Sequence, residues 1–189
     1  VRGNPSDPQL DITVTESPDI QHPKPLSATL DLNTGVLAIT CDETVDVTPK
    51  TNVDSSKFHL SNSLGARDVV TLNTAPVIPK SYYTGSPTDA TQDSTIVSIK
   101  LNEVMRIAAI EASGSIANGG DGTPVVLDID GSAFHDVATN DNFLLDGIVV
   151  TETPDTTAPF IDQYGCFVDY STGVLKIRAN EKLDLTPGT

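Results

Sequence analysis

One pattern occurs twice in this chain, and that repetition limits what the chain can fold into. Residues 30–49 read LDLNTGVLAITCDETVDVTP, and residues 168–187 read VDYSTGVLKIRANEKLDLTP. The two align without a gap at an offset of 138, which pairs Asp31 with Asp169, Gly35 with Gly173 and Glu43 with Glu181. Just upstream, ITVTESPD at 12–19 matches IVVTETPD at 148–155 at an offset of 136. The small difference is a change of loop length between Asp19 and Leu30. Two blocks at nearly one spacing imply a structural unit of 136 to 138 residues. The phase follows. Residues 1–17 are expected to carry the last strand of one repeat, 18–157 one complete repeat with proline-rich joints, and 158–189 the opening hairpin of the next. On this reading the chain starts and stops mid-unit.

Alternation at period two, broken by turn residues, predicts strands. Around Asn33-Thr34-Gly35, mirror pairing sets Leu32 opposite Leu37, Leu30 opposite Ile39 and Ala28 opposite Cys41. Around Thr172-Gly173 it sets Tyr170 opposite Leu175, Val168 opposite Ile177 and Cys166 opposite Ala179. A two-residue turn with glycine second suits each hairpin. Further strands are expected over 57–62, 68–73, 95–101, 124–130 and 147–152. The stretch 102–113 instead spaces Val104, Met105, Ala108 and Ile110 as on a short helix. Many short strands with turns at close intervals point to an all-β, two-sheet sandwich, with a closed barrel as the structural alternative. The prolines of 17–25 and 153–159 read as short, stiff joints, as a rod requires.

With a net charge of −15, the chain is ill suited to nucleic acid or an anionic membrane surface, both of which need clustered Lys and Arg. No apolar run approaches the ~18 residues of a membrane span, so no membrane insertion is expected. No Asn-x-Ser/Thr acceptor occurs.

The order of motifs then resembles a known family. Thr34–Leu37, Glu43, Val45–Asp46, Val53–Asp54, Ser56–Phe58, a short helix, Leu127–Asp136, Asn140 and Asp155–Pro159 follow one another as in certain immunoglobulin-like repeats. These are the bacterial-type repeats of very large cell-surface proteins, common in marine microbes including protists. The resemblance implies an immunoglobulin-like β-sandwich, extracellular display, and roles in adhesion or in fibres such as flagellar hairs. It supplies no catalytic residues. Cys41 departs from it, standing where an aromatic or aliphatic residue is usual.

Four groups of residues are candidate sites. Asp128, Asp130, Asp136 and Asn140, with Asp141, could offer oxygens to Ca²⁺, or could cap backbone amides in a polar turn. The joint acids Glu16 with Asp19 and Glu152 with Asp155 recur in both copies and could bind Ca²⁺ or make turns. Cys41 and Cys166 are either buried thiols behaving as small apolar groups or an inter-unit disulfide. Tyr82-Tyr83, in a Pro/Gly-rich loop, is the one plausible glycan-stacking patch; an ordinary loop anchor is the other reading. No serine-nucleophile elbow, phosphate loop or HExxH appears, so no enzymatic role and no required cofactor are expected. The expected function is a structural building block of an extracellular filament or surface stalk, with copies of itself as partners. A cell-adhesion or carbohydrate-binding array and an accessory region of a surface hydrolase are the alternatives.

Overall fold

A computed structural model describes residues 13–67, 69–78, 93–181 and 183. Its strands are β1 (Pro25–Asp31), β2 (Val36–Val45), β3 (Phe58–Ser61), β4 (Val70–Thr71), β5 (Ser94–Lys100), β6 (Val126–Ile129) and β7 (Leu145–Thr153). Helix α1 (Glu103–Glu111) lies between β5 and β6, and β8 (Phe167–Asp169) and β9 (Val174–Lys176) follow β7. The chain is mostly β with little helix. Each interior run expected from alternation contains or overlaps a strand.

The first seven strands form one curled mixed sheet in the order β4-β3-β6-β7-β1-β2-β5. β7 joins its two halves. Its early residues pair antiparallel with β6, and its late residues pair parallel with β1, from Ala28↔Val150 to Asp31↔Thr153. Both halves turn apolar side chains onto one core. Leu30, Leu37, Ile39 and Ile99 come from one side, and Phe58, Leu60, Leu127 and Ile129 from the other. Phe58 stacks on Phe134 with ring centroids 6.1 Å apart. Each fully buried aliphatic or aromatic side chain contributes about 1.5–3 kcal/mol.

The β1–β2 hairpin corrects the expected register. Leu30 pairs with Leu37 and Ala28 with Ile39, two residues away from mirror symmetry. The connection is therefore the four residues 32–35 and not a two-residue turn. Gly35 takes φ +68°, and its N–H donates to the Asp31 carbonyl at 2.7 Å. A slip of two leaves every side chain on its predicted face, so the inward stripe survives the correction.

The second hairpin is built the same way. Val168 pairs with Leu175, again two residues from the expected partner, Gly173 takes φ +70°, and its N–H donates to the Asp169 carbonyl at 2.8 Å. Upstream, Lys24 N–H donates to Asp42 Oδ1 at 2.8 Å and Asp42 N–H to the Lys24 carbonyl at 3.0 Å. Phe160 and Asn180 repeat that exchange at 2.7 and 3.2 Å. Pro25 pairs with Cys41, and Ile161 with Ala179. After this shared rung the first copy passes a bulge, whereas the second makes a turn at Asp162–Gly165. That turn accounts for the change in offset.

The hairpins differ in cover. Leu30 and Leu37 are fully buried, while Val168 is 42% and Leu175 58% exposed. Cys166, expected to face inward, is exposed for the same reason: among the described residues no second layer lies over β8 and β9. In α1 the buried residues are Met105, Arg106 and Ala109; Leu101 and Ala112 continue the apolar stripe, whereas Val104 is 76% exposed. The helix turns its 3–4 spaced stripe inward, and Val104 falls off it. Residues 13–17 pair with no strand among the described residues.

Leu37→Ala should lower stability by about 2–5 kcal/mol in urea denaturation. Leu175→Ala, at the equivalent exposed position, should cost about 0.5 kcal/mol or less. Equal losses would contradict the difference in cover.

Candidate functional site

The β1–β2 turn supports the joint that follows β7. Asp31 Oδ1 accepts from Asn33 N–H at 2.9 Å, and Oδ2 from the Thr34 hydroxyl at 2.8 Å. Burial pushes the Asp31 carboxyl up, but the hydrogen bonds from Thr34 and Asn33 outweigh it and hold the carboxyl below its ordinary value. Held this way, Asn33 reaches the chain beyond β7. Its amide donates to the Pro154 carbonyl at 2.7 Å, and its Oδ1 accepts from Thr156 N–H at 2.7 Å. The Thr157 hydroxyl adds a bond at 3.2 Å.

Beside the turn lies Arg106. Asn102 caps α1, its Oδ1 accepting from Met105 N–H at 3.0 Å, and the buried Met105/Ala109 stripe rotates Arg106 toward Gly35. A Cβ at Gly35 would lie 3.3 Å from Arg106 Cδ, so glycine both allows the positive φ and leaves room for the arginine. The guanidinium donates to the Leu32 carbonyl at 2.9 Å and to both Glu103 oxygens at 2.9 Å. It also pairs with Asp155 Oδ2, and with Glu181 Oε2 at 3.1 Å. The Arg106, Asp155 and Glu181 side chains are only 8%, 11% and 13% exposed. The bonds to Glu103 are the main cause of a raised Arg106 pKa, which keeps the group charged. A planar fork with five donors suits this convergence as an ammonium would not. One side chain on α1 thus ties the turn, the joint and the segment after β9.

The sequence-based candidates separate into different places. Of the joint acids, Asp155 enters this clasp. Glu152 instead accepts from Val125 N–H at 2.6 Å and Gly114 N–H at 3.1 Å, holding two loops to β7. Glu16 is exposed. Asp19 meets Glu43 and Asp136, whose carboxylate oxygens all lie within 4.8 Å of one another. A hard cation could bind such a trio.

Of the proposed calcium ligands, Asp136 and Asn140 come together. Asp136 accepts from Asn140 N–H and from its side-chain amide, both at 2.8 Å. Burial raises the Asp136 carboxyl, but the bonds from Asn140 prevail and lower it. Asp128 and Asp130 are engaged elsewhere. Asp128 is fully buried and accepts from Gly147 N–H at 2.8 Å. Asp130 pairs with Arg67 at 2.7 Å and His59 at 3.1 Å. Asp141 accepts from the Ser132 hydroxyl at 2.8 Å.

Cys41 and Cys166 are both free thiols, the first buried and the second exposed. Burial pushes the Cys41 thiol up to about 12, with Asp42 and Glu43 adding to the effect. Tyr82 and Tyr83 lie outside the described residues. Among the described residues no helix is long and apolar enough to cross a membrane.

No family model matches the chain, and no curated protein or solved structure does either. The clasp residues Arg106, Asn33, Glu103 and Glu181 escaped the sequence-based candidates. The signal was there: Glu43 and Glu181 are identical in the two copies, and Arg106 is the only cation in its helix.

Arg106→Ala should leave Asp155 and Glu181 buried without their counter-charge, a change of about 3–5 kcal/mol for a buried pair. Amide exchange over residues 156–181 should accelerate while that of β3 and β6 stays slow; unchanged exchange in the joint would remove the clasp from the account. In the native chain a thiol reagent should label Cys166 within minutes, and Cys41 only after unfolding. The thiolate is the reactive form, and Cys41 is both shielded and held protonated.

The Asp169 carboxyl is held at about 2 by hydrogen bonds from Ser171 and Thr172. Because this value is depressed, the turn's contribution is present above the ordinary carboxylate pKa and is lost as pH falls toward 2. Carbon-detected titration should show the Asp169 carboxyl changing state near that pH; an ordinary midpoint would rule the capped turn out.

Proposed function

We propose that the chain is a structural building block of an extracellular filament or cell-surface stalk, made of tandem immunoglobulin-like β-sandwich repeats. The observation that carries this reading is the buried Arg106 clasp. It fastens the joint before a second hairpin, through Asp155, and the segment after that hairpin, through Glu181, to the unit that precedes them. A flexible linker would leave these charges in water. Here the unit's own turn, helix and joint are locked together, as a stiff string of units requires.

The strand order supports the immunoglobulin-like form. Divided at the β1–β7 pairing, the single curled sheet gives β1-β2-β5 and β4-β3-β6-β7, an order compatible with the A-B-E and C-F-G strands of that fold. The repeated hairpin supports the tandem form. It has the same rungs, the same positive-φ glycine and the same capping aspartate. The partners on this reading are further copies of the unit, and the strong negative charge keeps such arrays soluble.

Negative-stain microscopy of the native material provides the test. Straight fibres or stalks with an axial repeat of one unit are expected. Dispersed compact particles would overturn the reading.

A further inference from the structure

We propose that Asp19 and Glu43 form an acceptor socket for the guanidinium of Arg106 from another copy of this unit. The inference rests on the tandem reading above and assigns the chemistry of the joint at the other end of the unit.

The argument starts from equivalence. Asp19 corresponds to Asp155 at an offset of 136, and Glu43 to Glu181 at 138. Each aspartate follows a proline and folds the same local turn. Asp19 Oδ1 accepts from Gln21 N–H at 3.0 Å, and Asp155 Oδ1 from Thr157 N–H at 2.9 Å. Each glutamate follows the residue that exchanges hydrogen bonds across the hairpin, Asp42 in one copy and Asn180 in the other. The two pairs of carboxylates therefore sit on the same backbone frame. In one copy that frame closes on a guanidinium, with Asp155 and Glu181 both bonded to Arg106.

In the other copy the same two carboxylates converge without a cation. Among the described residues neither Asp19 nor Glu43 pairs with a lysine or arginine. Asp136 stands beside them and accepts from Asn140 through both of its oxygens. Asp19 is exposed and Glu43 half-exposed, so a group from outside can reach both. Partial burial raises the Glu43 carboxyl, and Asp136, Asp19 and Asp42 raise it further, against a small opposing effect of His22. An arriving guanidinium would relieve that repulsion. The occupant is identified by what the equivalent frame already holds, a planar cation with several donors on a helix, and not by the presence of acidic groups alone.

The test joins two copies in the phase of the repeat, Val150 of the first continuing into Thr15 of the second. This sets Arg106 of the first copy against Asp19 and Glu43 of the second. The readout is amide exchange over residues 19–24 of the second copy, measured in a double-mutant cycle with R106A in the first copy and D19N/E43Q in the second. Each change should accelerate exchange by about tenfold, and the combination should add little to either alone. Reversal of both partners, R106E with D19R/E43R, should restore protection. Independent, additive effects would overturn the proposal.

A calcium arm separates the other occupant. If millimolar Ca²⁺ raises, and chelator lowers, the unfolding midpoint of the 189-residue chain, and D19N/E43Q abolishes the response, the trio is a cation site and the socket is refuted. No response to Ca²⁺, together with a coupled cycle, supports the socket. Fibres in the microscope with an additive cycle would reject the socket and leave the building-block reading standing. A coupled cycle without fibres would do the reverse.

Discussion

The left-handed backbone at Gly35, capped by Asp31, is the constraint from which the rest of the architecture follows. It sets a four-residue connection and thereby the register of β1 against β2. The register puts Leu30, Leu37 and Ile39 on one face, where they become the middle of the core. The same turn presents the Leu32 carbonyl and the Asn33 side chain outward, and the missing Cβ of Gly35 leaves the space along which Arg106 lies. Core, joint and clasp thus meet at one tight bend. A bulkier residue at Gly35 would disturb all three, because a side chain is strained at this dihedral angle and its Cβ would press on Arg106 at 3.3 Å.

Charge is the second organising element. The chain carries 26 acidic against 11 basic residues, so its cations are scarce and their placement is informative. Arg106 is spent on Glu103, Asp155 and Glu181, and Arg67 on Asp130 and Asp146. Both join segments distant in sequence. Elsewhere the acids are satisfied by amides: Asp31, Asp169, Asp54 and Asp121 each cap a turn. Of the carboxylates proposed as ligands, Asp19 and Asp155 cap turns in the same way.

The all-β character and the places of the interior strands were legible in the sequence, because alternation records which face of a strand is buried. The repeat was legible because Gly35/Gly173 and Asp31/Asp169 have no freedom to vary without changing the turn. The hairpin register was not. Period two fixes the face but not the partner, and the capping role of Asp31 lengthened the loop beyond what the glycine suggested. Val104 was misplaced because a three-turn helix offers too few positions to separate neighbouring stripes. The clasp was hidden for another reason. Its members come from α1, the joint and the segment after β9, and although a lone cation in its helix and a repeated glutamate stood out, the linear pattern did not bring them together. The scattering of Asp128, Asp130 and Asp136 has the same origin. Spacing along the chain suggested one site, while in the fold Asp128 meets Gly147, Asp130 meets Arg67 and His59, and Asp136 meets Asn140.

The parallel pairing of β1 and β7 has a mechanical meaning. The polypeptide enters the unit at the Pro25 end of β1 and leaves at the Thr153 end of β7, so the entry and exit lie at opposite ends of the shared ladder. A pull along the chain drags the two strands past each other. The rungs from Ala28 to Asp31 then bear the force together in shear, and they cannot be unzipped one by one from an end.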